Sequence, residues 1–325
     1  MTLSTFTRVF SKPPLGCLLF CILGSLLLPL TMGLATSFYE AFSTLSPGNF
    51  NRQLPLPPTT PLSLSHPLRS QAQALYQTLP YGVGERLRFQ ITYLGLKGGT
   101  AEILVREPIE WENTFAHRFT GEAKSAEWFS WVTQLHDGIE SLALGTPEVI
   151  PLQFYINQLE NSFKQSKIVE FDWKNRSIHQ RFKRPSKELK LEHFELHPGV
   201  KDAASALYFL RLLLQKNEIS SKIIEFPIFT SEKTWTARAH LISEEPKSVG
   251  GVTIPCDVLE LTTHFGGLME QKGKMRFWMS KDARRIPLYI EADIRFGHIK
   301  VKLLEWDPPD FPHPNQSYSR LLEAP

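Results

Sequence analysis

The clearest hydrophobic pattern lies late in the chain. From Ile286, apolar residues fall on every second position (Ile286, Leu288, Ile290, Ala292, Ile294, Phe296), with Tyr289, Glu291, Asp293 and Arg295 between them. That is the period of a half-buried strand. After Gly297 the phase resets, and Ile299, Val301 and Leu303 alternate with His298, Lys300 and Lys302. The pattern predicts two antiparallel strands with Gly297 in the tight turn between them. Met275, Phe277 and Met279 begin a third alternation upstream. A second hairpin is predicted where Leu87, Phe89, Ile91 and Tyr93 alternate, Gly95 and Gly98-Gly99 punctuate, and Ala101, Ile103 and Val105 come next. Further strand-like runs cover 115–122, 153–158, 167–172, 178–182, 234–241 and 252–261, and their short connections imply antiparallel pairing.

One segment breaks the period of two. From Lys201 to Gln215, Asp202 is placed to cap a helix in which Leu207, Leu210 and Leu214 recur at three and four residues. The fold expected for residues 81–306 is therefore mainly β, an antiparallel barrel or strongly curved sheet with one packed helix at about 201–215. No single hairpin is stable alone. Burying its nine inward side chains gains on the order of 20 kcal/mol, and ordering about twenty residues costs at least as much.

The N-terminal third obeys other rules. Arg8 and Lys12 precede an uncharged run from Leu15 to Ala35, and the first acidic residue is Glu40. All of that run as helix spans about 31 Å, enough to cross a bilayer core. Taken only to Leu28 it suits a signal-peptide core, with Gly33-Leu34-Ala35 offering small residues before a cut. Residues 1–35 are thus a cleaved signal or a retained anchor, with a buried helix as the plain alternative. Either export reading places the chain beyond residue 35 in the periplasm, soluble after cleavage or tethered to the inner membrane through residues 15–35. Lipid attachment at Cys17 is not expected, because the apolar run comes after that cysteine instead of preceding it. Residues 36–80 are rich in proline and read as an extended linker or a segment without a role. A short helix is expected at Ser70 to Leu79. Residues 307–325 form a tail.

Composition narrows the function classes. The chain is 42% hydrophobic and 21% charged, with a net charge of +3, a balance that excludes disorder throughout. Removing Arg8 and Lys12 with a signal would leave +1, which argues against nucleic acid as a partner. Cys17 and Cys21 lie in the apolar run, so Cys256 stands alone downstream. No intrachain disulfide or multi-cysteine zinc site is available to the folded part.

Four segments in combination resemble one family. They are Tyr81-Gly-Val-Gly-Glu-Arg-Leu87 with the Gly98-Gly99 hairpin, Asp137-Gly-Ile-Glu-Ser141 leading to Pro151-Leu-Gln-Phe154, Asp202 to Arg211, and Trp278 to Pro287. Together, over about residues 81–306, the chain resembles the exported bacterial DUF3108 family, a domain of unknown function. The resemblance implies a Gram-negative cell-envelope protein with a mainly antiparallel β fold, and it brings no established activity. The long proline-rich linker departs from the plainest members.

Candidate sites each carry a functional and a plain reading. Arg211, beside Tyr208 on the helix, has the planar fork that suits an anionic headgroup or carboxylate. The plain reading makes it half of an ion pair, with Arg211 or Arg284 paired to Asp137 or Asp282. Trp278 and Pro287 read as packing and turn residues. Trp128, Phe129 and Trp131 form either an apolar mouth or a membrane-interface contact, with core packing as the plain reading. His193 and His197 have helical metal spacing in a segment that reads extended, which would set them about 13 Å apart. No metal or cofactor is expected. Cys256 shares the phase of Val252, Ile254 and Val258 and reads as core, and the segment from Gly267 to Lys274 is a hairpin connection, not a phosphate loop. The expected function is a non-enzymatic module binding an apolar or amphipathic envelope component such as lipid. The alternative is a structural or assembly factor for another envelope protein.

Overall fold

The computed structural model describes residues 64–310, apart from 130–133, 162, 186, 220–222, 231, 265–272 and 295–296. The apolar run at 15–35, most of the linker, residues 311–325 of the tail, most of the connection at 267–274 and Trp131 lie outside the described residues. No helix among the described residues is long and apolar enough to cross a membrane.

The chain enters through helix α1 (His66–Tyr76), earlier than the helix expected at Ser70, with Pro67 in the first turn where its missing N–H costs nothing. Eight strands come next: β1 (Arg86–Tyr93), β2 (Leu96–Trp111), β3 (Thr114–Ser125), β4 (His136–Leu144), β5 (Pro151–Glu160), β6 (Phe163–Asp172), β7 (Ser177–Lys183) and β8 (Lys190–Glu195). Helix α2 (Ala203–Gln215) interrupts them. Then come β9 (Ile224–Thr230), β10 (Lys233–Glu244), the small pair β11 (Lys247–Val249) and β12 (Val252–Ile254), and β13 (Cys256–His264), β14 (Gly273–Ser280), β15 (Pro287–Ile294) and β16 (Gly297–Asp307).

All but β11 and β12 belong to one sheet, ordered β8-β7-β6-β5-β4-β3-β2-β1-β16-β15-β14-β13-β10-β9, and every neighbouring pair is antiparallel. The sheet is an up-and-down meander. Its first strand pairs with its last, Ile91 opposite Val301, so the ends of the sequence meet inside it. The meander lacks one pairing for closure, between β8 and β9, where α2 is inserted. Side chains bring those edges together: the Phe194 and Phe229 rings lie 5.2 Å apart across the gap. The expected barrel or strongly curved sheet with one packed helix is this architecture.

Alternate strand ends define two poles. β8 leads into α2, and the turn after β14 also lies at that pole, here called the helix end. The opposite pole, the rim, gathers the last residues of β1, β3, β5, β7 and β9 and the first residues of β2, β4, β6, β8 and β10.

Local sequence accounts for most elements. Asp202 caps α2 in a reciprocal box with Ser205, and every α2 residue from Ala203 to Leu214 except Phe209 is buried. A helix apolar on nearly all sides must be surrounded, and this one plugs its end of the sheet. The Leu94-Gly95 turn between β1 and β2 has φ of 49° and 82°, the left-handed pair of a tight two-residue hairpin. Gly99 is required for a different reason: a Cβ there would sit 2.2 Å from the Lys124 carbonyl oxygen on β3.

The structure corrects several expectations. Pro255 splits the run 252–261 into β12 and β13. The hairpin turn near Gly297 comes earlier, because Gly297 already pairs with Ile294 as the first residue of β16. β4, β8 and β9 are strands that alternation did not reveal. β4 places Asp137 and Ser141 inward among Ile139 and Ala143, and β9 carries Pro227, tolerable because β9 is an edge.

Candidate functional site

Most of the sequence-predicted residues converge at the helix end around Arg211, which is fully buried. Its partner is neither Asp137 nor Asp282 but Glu85, 126 residues away. Arg211 Nη1 donates to Glu85 Oε2 at 2.6 Å and Nη2 to Glu85 Oε1 at 2.8 Å, a bidentate pair in which both side chains are fully buried. Nε and Nη2 also donate to the Arg284 carbonyl at 3.1 and 2.9 Å, and Nη2 to the Pro80 carbonyl at 2.7 Å. Trp306 Nε1 donates to Glu85 Oε1 at 3.3 Å. Tyr81 and Tyr208 flank the guanidinium, their ring centroids 5.8 and 5.5 Å away. Burial works against the charge of Arg211, but the Glu85 carboxylate outweighs it and raises the guanidinium pKa.

The four motif segments serve this arrangement. Asp282 Oδ1 accepts from Ser280 Oγ at 3.0 Å and from the amides of Arg284 and Arg285 at 2.8 and 3.1 Å, a turn that aims the Arg284 carbonyl at Arg211. Asp202 Oδ1 accepts from the Ser205 amide at 2.9 Å, and Oδ2 from Ser141 Oγ at 2.8 Å, tying the helix N-terminus to β4. Burial pushes the Asp202 carboxyl pKa up against those bonds. Lys201 Nζ donates to the carbonyls of Glu148 and Val149 at 2.7 and 3.2 Å, and burial lowers its pKa to about 8. Trp278 is buried and donates to Glu245 at 3.1 Å, and Pro287 opens β15.

An aromatic layer continues from Tyr208. Phe119 stacks on it with centroids 4.0 Å apart, and Tyr81 packs edge-on at 4.6 Å. His117 Nε2 contacts the Thr146 carbonyl at 3.1 Å, so it carries the proton, and Nδ1 accepts from Tyr76 Oη at 2.9 Å. Burial lowers the His117 pKa to about 4. These groups hold α1 and α2 to the sheet.

Asp137 lies elsewhere. It sits at the rim start of β4, fully buried, with Oδ1 accepting from the Leu159 amide at 3.0 Å. Its second contact is the carboxyl of Glu160 at the rim end of β5, which is also buried. Burial raises the Asp137 pKa. Nothing in the local residue pattern singles out Glu160.

A third arrangement lies along the β8/β9 gap. Toward the helix end it is aromatic, with Phe229 against Phe194 and, at 6.3 Å between centroids, against Phe171. Toward the rim it is polar. Gln180 Nε2 donates to Glu192 Oε2 on β8 at 2.8 Å and lies 3.5 Å from Glu232 Oε1 in the β9–β10 turn. Lys167 Nζ stands 3.8 Å from Glu232. Gln180 is buried, and its Oε1 has no hydrogen-bond partner among the described residues. The seam is therefore amphipathic; β8 and β9 meet through side chains, and past β8 the Lys201 backbone bonds to Pro227 and Phe229 of β9.

The remaining candidates fall apart. Trp128 is 49% exposed in a single 3-10 turn and is not core. His193 lies on β8 and meets His179 of β7, Nδ1 to Nδ1 at 2.7 Å, while His197 lies beyond the strand. No group of three or more metal-ligating side chains occurs among the described residues. Cys256 is buried, as its phase indicated, and burial pushes its thiol up to about 11, which leaves it inert at neutral pH.

The fold and these contacts define an up-and-down antiparallel sheet rolled around a buried helix, with a side-chain seam. The chain belongs to the family described as protein of unknown function (DUF3108), which matches residues 88–304. No curated protein matches it. Among solved structures it is similar to a β-barrel-like protein of domain of unknown function DUF1849 from Brucella abortus, at 10% identity and a TM-score of 0.49, covering 71% of this chain and 99% of that one. It is also similar to the hypothetical lipoprotein YmcC from Escherichia coli, at 9% identity and a TM-score of 0.26, covering 75% and 98%.

Proposed function

We propose that this protein is an exported, periplasmic binding module, not an enzyme, and that it takes an apolar or amphipathic envelope component such as lipid at the β8/β9 seam. The observation that carries this reading is the make-up of the seam. Phe171, Phe194 and Phe229 offer an apolar stretch, and Gln180, Lys167, Glu192 and Glu232 offer polar groups rimward of it. An acyl chain entering between β8 and β9 would exchange contacts with phenylalanine rings and break no backbone hydrogen bond between those two strands. Gln180 Oε1, buried and without a partner among the described residues, would accept from a headgroup donor. Arg211 takes no part, because its guanidinium is committed to Glu85 and two carbonyls.

Native mass spectrometry of the full chain recovered from the envelope, with organic extraction of what accompanies it, tests this reading. A reproducible amphipathic molecule is expected, and it should be lost from the F194A/F229A variant. A clean apo mass, unchanged after adding envelope lipids, would overturn it. The second reading, an assembly factor for another envelope protein, is favoured by the same edge: strand β8 ends the sheet and has an unpaired side to offer an incoming strand.

A further inference from the structure

At the rim, exposed apolar side chains stand beside cations. Leu94 and Leu96, at the tip of the β1–β2 hairpin, are 63% and 55% exposed. Leu189 and Leu191, at the start of β8, are 47% and 59% exposed. Trp128, between β3 and β4, points outward at the same pole. Leu94 holds a φ of 49°, a conformation in which glycine or asparagine is usual, so the turn keeps a bulky apolar side chain in solvent at a cost in strain.

Cations accompany these leucines. Lys97 comes directly after Leu96, and Lys187 and Lys190 bracket Leu189, all three exposed. The β7–β8 connection and the first residues of β8 hold Lys183, Arg184, Lys187 and Lys190 against Glu188 and Glu192, the latter paired to Lys190. Acidic residues at the rim include Glu127, Glu232 and Asp293, and the cations exceed them chiefly at that connection.

We infer that the rim is a docking surface for an anionic lipid bilayer, with the leucines of the β1–β2 and β7–β8 hairpins entering the headgroup layer and the flanking lysines meeting lipid phosphates. Charge complementarity selects this partner. So does the distribution of the apolar groups, which project from separate hairpin tips at one pole instead of forming one face. A planar soft surface meets several tips at once, whereas a folded protein partner needs a contiguous complementary patch. Leucine beside lysine, with a tryptophan nearby, is also the side-chain set that settles at a bilayer interface. Docking of this kind needs only the rim surface and does not depend on a molecule occupying the seam.

Hydrogen exchange of the full chain in the presence of vesicles tests the inference. One vesicle set contains phosphatidylglycerol in phosphatidylethanolamine, and the other is phosphatidylcholine alone. The apolar segment at 15–35 can hold the chain to either set, so the readout is local. Severalfold slower exchange at residues 93–97 and 187–192 is expected on the anionic vesicles only. In the L94S/L96S/L189S/L191S variant that slowing should vanish, with exchange in α2 unchanged. Equal exchange on both vesicle types, or slowing that survives in the variant, would overturn the inference. Slow exchange in seam residues Phe194 and Phe229 without any at the hairpin tips would do the same while leaving the seam reading intact.

Discussion

The two poles of the molecule each bury ionisable groups, and they treat them oppositely. At the helix end, Arg211 and Glu85 are fully enclosed, and the guanidinium makes five hydrogen bonds to Glu85, Pro80 and Arg284. At the rim, the carboxyls of Asp137 and Glu160 are both buried, and burial raises the Asp137 pKa. Around Arg211 the helix end covers Tyr81, Tyr208 and Phe119 completely, whereas the rim exposes Leu94, Leu96 and Trp128. A region in which polar groups are paired and apolar groups are covered is built for stability. The exposed leucines of the rim and the buried, unpartnered Gln180 Oε1 of the seam lie where binding is placed.

The sharpest way to break this contrast is at Arg211. R211M leaves Glu85 charged and unpaired in the interior and should cost about 3–5 kcal/mol in denaturant unfolding. Next in size is a pH effect at the same pole. The His117 pKa lies at about 4, below its ordinary 6.5, because burial disfavours the charged ring. The unfolded chain therefore binds the proton more readily. The stability due to His117 is full above 6.5 and is lost as pH falls toward 4, about 3 kcal/mol in all. H117Q should flatten that slope in thermal unfolding recorded across the window. D202A, which removes the helix cap and the Ser141 bond, should cost about 2 kcal/mol.

At the rim the effects reverse or shrink. The Asp137 pKa is raised, so the native state holds a proton that the unfolded chain releases first. Stability from this pair is present below the ordinary carboxylate range and falls as pH rises through the raised value. That slope has the opposite sign to His117, and D137N should abolish it. The smallest change is expected from L94S and L96S, within about 0.5 kcal/mol each, because both side chains already stand in solvent.

The difference between the poles also separates what was legible in the sequence from what was not. Helix α2 was legible because its cap and its leucine spacing are local signals, and both lie within Asp202 to Gln215. Strands β1, β2, β15 and β16 were legible from their alternation. The partner of Arg211 was not, since Glu85 sits 126 residues away and looks like any polar residue beside a turn. Asp137 stood out in its motif, yet Glu160 did not, because only the pairing of β4 with β5 brings them together. Strand β9 was hidden by Pro227, and the seam by the fact that β8 and β9 meet only through side chains. Trp128 was visible as part of an aromatic cluster, but no local signal says whether a tryptophan faces core or solvent. The motif segments themselves mark the helix end, where distant pieces must dock, and so pointed to structure more than to binding.

The measurement that bears most directly on this account is a denaturant-unfolding cycle of R211M, E85L and the double variant R211M/E85L. The account predicts that each single change costs about 3–5 kcal/mol, and that the double variant recovers most of it, since two apolar groups replace a buried pair without stranding a charge. An R211M protein that unfolds at the wild-type midpoint would contradict it, and would return Arg211 to the role of a ligand-binding group.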